Sequence, residues 1–211
     1  MSVVALACAA LMLAVERVTY IVIGRHPNLL LALCARWGAV RWSVPTVFVE
    51  RLFYAFKLLQ FGVFIGWCYV HGGGFPLPAR NDPFVVVLAL ALALAGQILV
   101  VATFYRLGRT GVFFGDQLGF AVRRCGEFPF SLLSHPQYVG ALLTIWGGFM
   151  LVRFPHDDWY ALPILETLYY LAGMWLEVPR GPYGTRYASI TFKMRSRAAR
   201  LTEGSERSRP T

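Results

Sequence analysis

The feature that most constrains this chain is a run without charge. Phe84–Tyr105 holds 22 consecutive residues with no Asp, Glu, Lys or Arg, enough to carry a helix across the hydrocarbon core of a bilayer. In lipid such a stretch must satisfy its own backbone hydrogen bonds, which restricts it to a helix. Pro83 precedes the run, and the first helical position is where a missing N–H costs least. Leu52–Val70 has the same character apart from Lys57, and Met1–Ile23 apart from Glu16-Arg17 near its end. Lys57 lies about a turn and a half into its run, near enough to the end for its ammonium to snorkel toward the headgroups. Met1–Val15 has no basic segment before it, and apolar sequence resumes after Glu16-Arg17. It reads as a retained membrane segment, not a removable leader.

The last apolar block is split. Pro136–Val152 and Trp159–Leu176 are separated by Arg153-Phe-Pro-His-Asp-Asp158, where Pro155 and the aspartates favour a tight turn. The expected fold is an all-α integral membrane protein. It has about four to five transmembrane or membrane-embedded helices, a C-terminal helical hairpin and a basic cytosolic tail. Composition agrees: 57% of the 211 residues are hydrophobic and 15% charged, with a mean hydropathy of +0.54. A soluble domain of this size has too little interior to bury that much apolar surface.

The net charge is +9, and eight of the 20 basic residues lie beyond Val178. Bases set between and after apolar runs meet anionic headgroups on the cytosolic face, so nucleic acid is not an expected partner. Gly24–Trp42 carries Arg25, Arg36 and Arg41, and Arg106–Ser134 carries Arg106, Arg109, Arg123 and Arg124. The alternate connections, His71–Asp82 and Arg153–Asp158, are poor in net positive charge. Five crossings would put all the basic regions in the cytosol and the amino terminus in the lumen. Residues 1–192 read as one membrane domain, and 193–211 as a tail of disordered composition. Cys8, Cys34, Cys68 and Cys125 form no Cys-x-x-Cys pair and the four histidines are scattered, so neither a disulfide framework nor a metal site is expected.

Polar residues near membrane depth are costly and therefore the first functional candidates. The best cluster is Ser134-His135-Pro136-Gln137-Tyr138-Val139-Gly140. Pro136 suits the first helical position, with Ser134 or His135 as cap, and free N–H groups there would suit a carboxylate or phosphate. Glu166 and Glu177 are spaced to share a helix face with Tyr170 and Gly173. Gly111, Gly115 and Gly119, spaced by four, would share a face if helical, for close packing or for a loop closing over a ligand. Asp116 sits among them, within reach of Arg106 or Arg109. No strand-borne Gly-x-Gly-x-x-Gly, P-loop or Gly-x-Ser-x-Gly is present.

The residues also carry a resemblance. Phe104-Tyr105-Arg106-Leu107-Gly108, then Thr110-Gly111-Val112-Phe113-Phe114-Gly115-Asp116, Phe128-Pro129-Phe130 and His135-Pro136-Gln137-Tyr138-Val139-Gly140 resemble the phospholipid methyltransferases in content and order. Glu16-Arg17-Val18-Thr19-Tyr20 is similar to their first segment. The likeness runs from Glu16 to Tyr187 and is to the short, single-unit members, which methylate phosphatidylethanolamine and its mono- and dimethyl derivatives toward phosphatidylcholine.

The resemblance implies S-adenosylmethionine as methyl donor and a membrane of the endoplasmic reticulum, with a mitochondrial membrane as second location. The family's Gly-x-Gly donor motif falls on Leu94-Ala95-Gly96, where only the second glycine is present. Its Glu-Glu pair falls on Glu177-Val178, where only the first glutamate is present. The His-Pro-x-Tyr-x-Gly element is similar to that of the isoprenylcysteine carboxyl methyltransferases, the alternative reading. That likeness implies a donor pocket between His135, Tyr138 and Gly140 and the segment after the last helix, with Arg180, Arg186 and Tyr187 as contacts. A non-catalytic protein of the same fold is the third reading. The acceptor amine must lose a proton before it attacks. His135 is the expected base, Asp116 and Glu177 the other candidates, and Arg106 and Arg109, with Arg123 and Arg124, the expected contacts of the lipid phosphate.

Overall fold

The structure is a computed structural model that describes residues 2–36, 44–72, 82–122 and 125–176. The described residues form helices and turns without a strand: α1 Val3–Arg25, α2 Pro27–Arg36, α3 Val44–Gly72, α4 Pro83–Val112, α5 Pro136–Arg153 and α6 Ala161–Leu176. Three of them, α1, α3 and α4, are long and apolar enough to cross a membrane, while α5 and α6 are shorter. Their outward residues are large and apolar. Leu11, Phe61, Val87 and Val101 are exposed, as lipid-facing side chains should be and as a soluble protein could not sustain over three helices.

The helix starts follow from local chemistry. The Ser2 side chain accepts from the Ala5 N–H to open α1, and Asp82 accepts from the Phe84 N–H at 2.8 Å to open α4, with Pro83 behind it. Two expectations change here. Gly24–Trp42, read as a loop, contains α2, whose Leu30 and Cys34 are buried with Val49, Phe113 and Leu118. Apolar burial, not span length, makes that helix. Gly111, Gly115 and Gly119 do not share a helix face: α4 is interrupted at Gly108 (φ 66°) and ends at Val112, and Phe114 and Gly119 adopt left-handed backbone conformations. Residues 113–119 form a compact turn instead, closed by the Gly115 N–H donating to Thr110 O at 2.8 Å.

Contacts give the helix directions. Ser2 meets His71, so α1 and α3 run antiparallel; Tyr169 meets Ala10 and Arg25 meets Leu176, so α1 and α6 run parallel. Gly96 faces Gly140 and Ala89 faces Gly147, so α4 and α5 run antiparallel. One end of the bundle therefore carries Arg25, Arg106, Arg109 and His135, and the other carries Ser2, His71, Asp82 and Arg153. The α4–α5 seam is built from small residues, as lipid-embedded helices require for close approach. A Cβ on Gly96 would stand 2.4 Å from Gly140 O, and one on Gly147 2.5 Å from Ala89 O. Between α1, α3, α5 and α6 lies an apolar cluster of Leu13, Trp67, Phe149 and Leu162.

The connection between α5 and α6 is anchored by charge. Asp158 is buried, pairs with Arg153 and accepts from Trp67 Nε1 at 2.7 Å. Burial disfavours its charged form, but the hydrogen bonds from Arg153 and Trp67 outweigh that cost and hold its carboxyl below the usual carboxylate range.

Candidate functional site

A cavity of about 890 Å³ lies within the bundle. Its walls are mostly apolar, from Phe53, Phe61, Phe64 and Phe149, and its polar groups are few. That combination is usual where a large, mainly apolar ligand must be held in one orientation. Polar side chains gather at two levels.

The first level is the start of α5. His135 caps the helix without a side-chain cap bond, and Pro136 takes the first helical position. The Tyr138 and Val139 N–H groups both donate to His135 O at 3.1 Å, so the helix start offers fewer free donors than its sequence promised. His135 and Tyr138, three residues apart, stack with ring centroids 5.7 Å apart and planes within 8° of parallel. Both line the cavity, with Ser134 and Gln137 beside them. Phe113, Phe114 and Gln117 of the 113–119 turn close the same region, one of the two roles open to that glycine-rich stretch.

The second level is deeper and joins α1, α3 and α6. Tyr138 packs edge-on against Tyr170, and the Arg17 guanidinium lies 3.5 Å from the centre of the Tyr170 ring. Arg17 is 3.5 Å from Glu166, which accepts from Gln60 Nε2 at 2.6 Å. Gln60 Oε1 in turn accepts from Lys57 Nζ at 2.8 Å, and Lys57 is 3.3 Å from Glu16. The ring closes at 3.9 Å between Glu16 and Arg17. Relative exposure is 3% for Glu16, 8% for Arg17 and 1% for Glu166. Two carboxylates and two cations cancel, which is how such groups survive at this depth. The network is not fully satisfied, however. Arg17 Nε and Nη2, the Tyr20 hydroxyl and Glu166 Oε2 are buried without a hydrogen-bond partner among the described residues. Arg17 and Tyr20 line the cavity, so a polar ligand there would complete bonds the protein leaves open.

Sequence reasoning missed most of this second level. It singled out Glu166 and its face correctly: Glu166, Tyr170 and Gly173 are the buried face of α6. But Lys57 does not snorkel. The helix begins at Val44, not Leu52, so Lys57 is midway along α3 and pairs inward. Glu16 and Arg17 were read only as charges near the end of the Met1–Ile23 span, and α1, Val3–Arg25, instead turns both inward to the ring. The signal was present, since two adjacent charges in an apolar run demand partners.

The other expected site residues scatter. Gly96 and Gly140 are buried against each other at the α4–α5 crossing; Leu94 is 64% exposed on the outer side of α4, and Ala95 is exposed beside it. Asp116 is exposed on the 113–119 turn and does not line the cavity. Arg109 makes a two-pronged pair with Glu50, at 2.5 and 2.6 Å, and Arg106 pairs with Glu127 and donates to Phe128 O. Neither arginine lines the cavity. Glu177, Val178, Arg180, Arg186, Tyr187, Arg123 and Arg124 lie outside the described residues.

Residues 84–179 match the phospholipid methyltransferase family. The match takes in α4, α5 and α6, and with them the His135–Tyr138 level of the cavity. This segment is similar to the phospholipid methyltransferases. Over 96 residues the chain is 34% identical to phosphatidylethanolamine N-methyltransferase of Rattus norvegicus, covering 45% of this chain and 47% of the relative. Over 104 residues it is 33% identical to the Homo sapiens protein of that name, covering 49% and 51%. Over 61 residues it is 39% identical to phosphatidyl-N-methylethanolamine N-methyltransferase of Saccharomyces cerevisiae, covering 28% and 30%. The matched stretch thus spans about half the length of the animal relatives. No solved structure matches the chain. The methyltransferase segment supplies one wall of the cavity, while Glu16, Arg17, Lys57 and Gln60 come from helices that precede it.

Proposed function

We propose that the protein is a membrane enzyme that N-methylates phosphatidylethanolamine, or its mono- and dimethyl forms, toward phosphatidylcholine, with S-adenosylmethionine as donor. The observation that carries this reading is the cavity: an apolar chamber inside membrane-length helices, with aromatic and charged groups at defined levels, walled by the methyltransferase segment. An apolar chamber suits acyl chains, and the buried polar atoms without partners among the described residues suit a charged headgroup and a charged donor. When bound, the donor supplies an electrophilic methyl group on a positive sulfonium. The protein has then mainly to orient the two reactants and exclude water, which can supply much of the rate.

His135 and Tyr138 are the residues we assign to the donor. Their stacked rings border the cavity at the basic end of the bundle, and aromatic faces attract a sulfonium by cation–π interaction. Glu177, Arg186 and Tyr187 follow α6, whose last turn lies at that same end beside Arg25, and they complete the donor site in this reading. The basic end faces the cytosol, as expected where Arg25, Arg106 and Arg109 gather, and the membrane is that of the endoplasmic reticulum.

The test offers purified protein in mixed micelles labelled S-adenosylmethionine, with phosphatidylethanolamine, its monomethyl and dimethyl forms, and a farnesylcysteine analogue in parallel. Label in a phospholipid is expected, and the lipids accepted define the steps. Label only in the farnesylcysteine ester would replace this reading with carboxyl methylation. No transfer to any acceptor, together with no donor binding, would overturn it in favour of a non-catalytic protein that has lost the donor site.

A further inference from the structure

We infer that the buried charged ring of α1, α3 and α6 is the site of the acceptor's zwitterionic headgroup, with Glu16 taking the proton from its ammonium and Arg17 and Lys57 holding its phosphodiester. The inference rests on the proposed function but assigns residues that lie before the methyltransferase segment.

Three observations carry it. Glu16, Arg17 and Lys57 all line the cavity, whereas Glu166 does not; it stands behind Arg17 and fixes it. Arg17 is more than nine-tenths buried, and while its Nη2 sits in the ion pairs with Glu166 and Glu16, its Nε and the neighbouring Tyr20 hydroxyl lack hydrogen-bond partners among the described residues. A desolvated donor left open is costly unless something fills it, and a phosphodiester oxygen is the acceptor that a guanidinium fits best. Finally, the ring as a whole, with Glu166 counted behind Arg17, holds two carboxylates and two cations, so the ligand that enters without leaving a net charge in the membrane is itself neutral overall. A phosphate joined to an ammonium by a two-carbon bridge meets that condition; a fatty acid or a cationic amphiphile does not.

The arginines first expected to meet the lipid phosphate, Arg106 and Arg109, are engaged by Glu127 and Glu50 and lie off the cavity. The depth also fits. Arg17 is eight residues from the Arg25 end of α1, about 12 Å along the helix. The Tyr138–Tyr170 pair bridges that interval to His135. A headgroup at the ring thus lies beneath a donor at His135, in a chamber whose walls are otherwise apolar.

The chemistry balances without a further reactant. The ammonium N–H proton passes to the Glu16 carboxylate. The freed nitrogen lone pair forms the new N–CH3 bond, and the electron pair of the broken S–CH3 bond stays on sulfur, leaving a neutral thioether. The carboxylic acid then gives its proton up before the next turnover. The charged and titratable groups facing Glu16 are Arg17 and Tyr20 on α1, Lys57 on α3, Tyr138 on α5, and Glu166 and Tyr170 on α6; α4 has no charge between Pro83 and Tyr105.

The test compares wild type, Glu16→Gln and Lys57→Met in micelles, with donor affinity measured separately by equilibrium binding. Glu16→Gln keeps size and hydrogen bonding but loses the base. Its kcat should fall by about 100-fold or more at neutral pH. It should then recover about tenfold per pH unit as free amine, with a pKa near 10, becomes available from solution. The wild type has no such slope. Donor affinity stays unchanged. Lys57→Met should raise the phospholipid KM while sparing kcat and donor affinity. A merely structural ring predicts neither pattern. Glu16→Gln with the wild-type pH profile, or a loss of donor affinity in step with turnover, overturns the inference. If Glu16→Gln does not fold, as judged by thermal unfolding, Lys57→Met decides, and an unchanged lipid KM overturns it. A wild type active on phospholipid with unresponsive variants refutes the ring and spares the function. A wild type inactive on every ethanolamine lipid refutes both.

Discussion

Gly147 and Gly148 are neighbours on α5, yet the same substitution should have opposite consequences at the two. A Cβ added at Gly147 would stand 2.5 Å from Ala89 O and 2.8 Å from Ala93 N, both backbone atoms of α4, and 3.1 Å from the Ala93 Cβ. Backbone cannot rotate out of the way, so Gly147→Ala must push α4 and α5 apart. A Cβ at Gly148 would meet nothing within 4 Å among the described residues. Overpacking of this kind costs about 1–3 kcal/mol. Alanine in a helix interior regains about 1 kcal/mol over glycine. That gain is common to both variants and cancels between them, so the difference isolates the contact. Gly147→Ala should therefore be less stable than Gly148→Ala by about 1–3 kcal/mol, and Gly148→Ala should match or exceed the wild type by up to about 1 kcal/mol. Unfolding in mixed micelles with rising dodecyl sulfate fraction, followed by tryptophan fluorescence, reads the difference directly. Equal midpoints for the two variants would refute the α4–α5 seam as described.

Other perturbations probe the ends of the bundle. Asp158 has a folded-state pKa below its unfolded one, so its contribution to stability is full above the unfolded value, near 3.9, and is lost as pH falls through the lower folded value. Thermal midpoints measured on either side of that window should drop in the wild type and lose this step in Asp158→Ala. Asp158→Ala also leaves Arg153 buried without its countercharge, at a cost of about 3–5 kcal/mol at neutral pH. Trp67→Phe removes one donor to the same carboxylate, and should cost about 1.5–3 kcal/mol by the same unfolding assay. Glu50→Gln breaks the pair with Arg109, whose side chain is largely exposed, so it should cost no more than about 1 kcal/mol and less as salt is added. His135→Ala should weaken donor binding, read by equilibrium binding of labelled S-adenosylmethionine, without changing the lipid KM.

How much of this was legible depends on whether the information is local. The span of α4 is written in an uncharged run and needed no partner to be read; its start at Pro83 and Asp82 is equally local. The position of Lys57 is not. Whether a lysine snorkels depends on its distance from the helix end, and α3 begins well before its first long apolar stretch because Val49 packs under Phe113 and Leu118 near α2. Glycine is ambiguous for a related reason. Gly96 and Gly140 satisfy motifs by spacing, but a residue without a side chain serves a close helix crossing as well as a ligand, and only the facing backbone tells which. The Gly111–Gly119 spacing had meaning only if the helix continued, and the left-handed residues at Gly108 and Phe114 end that register. The charged ring is the extreme case. A carboxylate in an apolar run announces that it needs a partner, yet nothing in its neighbourhood says which helix supplies one. Gln60 and Glu166 are 106 positions apart, and Arg17 reaches Glu166 from the first helix to the last. Such pairings hold α1, α3 and α6 in register around the cavity, so the residues that position the site are the ones whose role a linear reading leaves open.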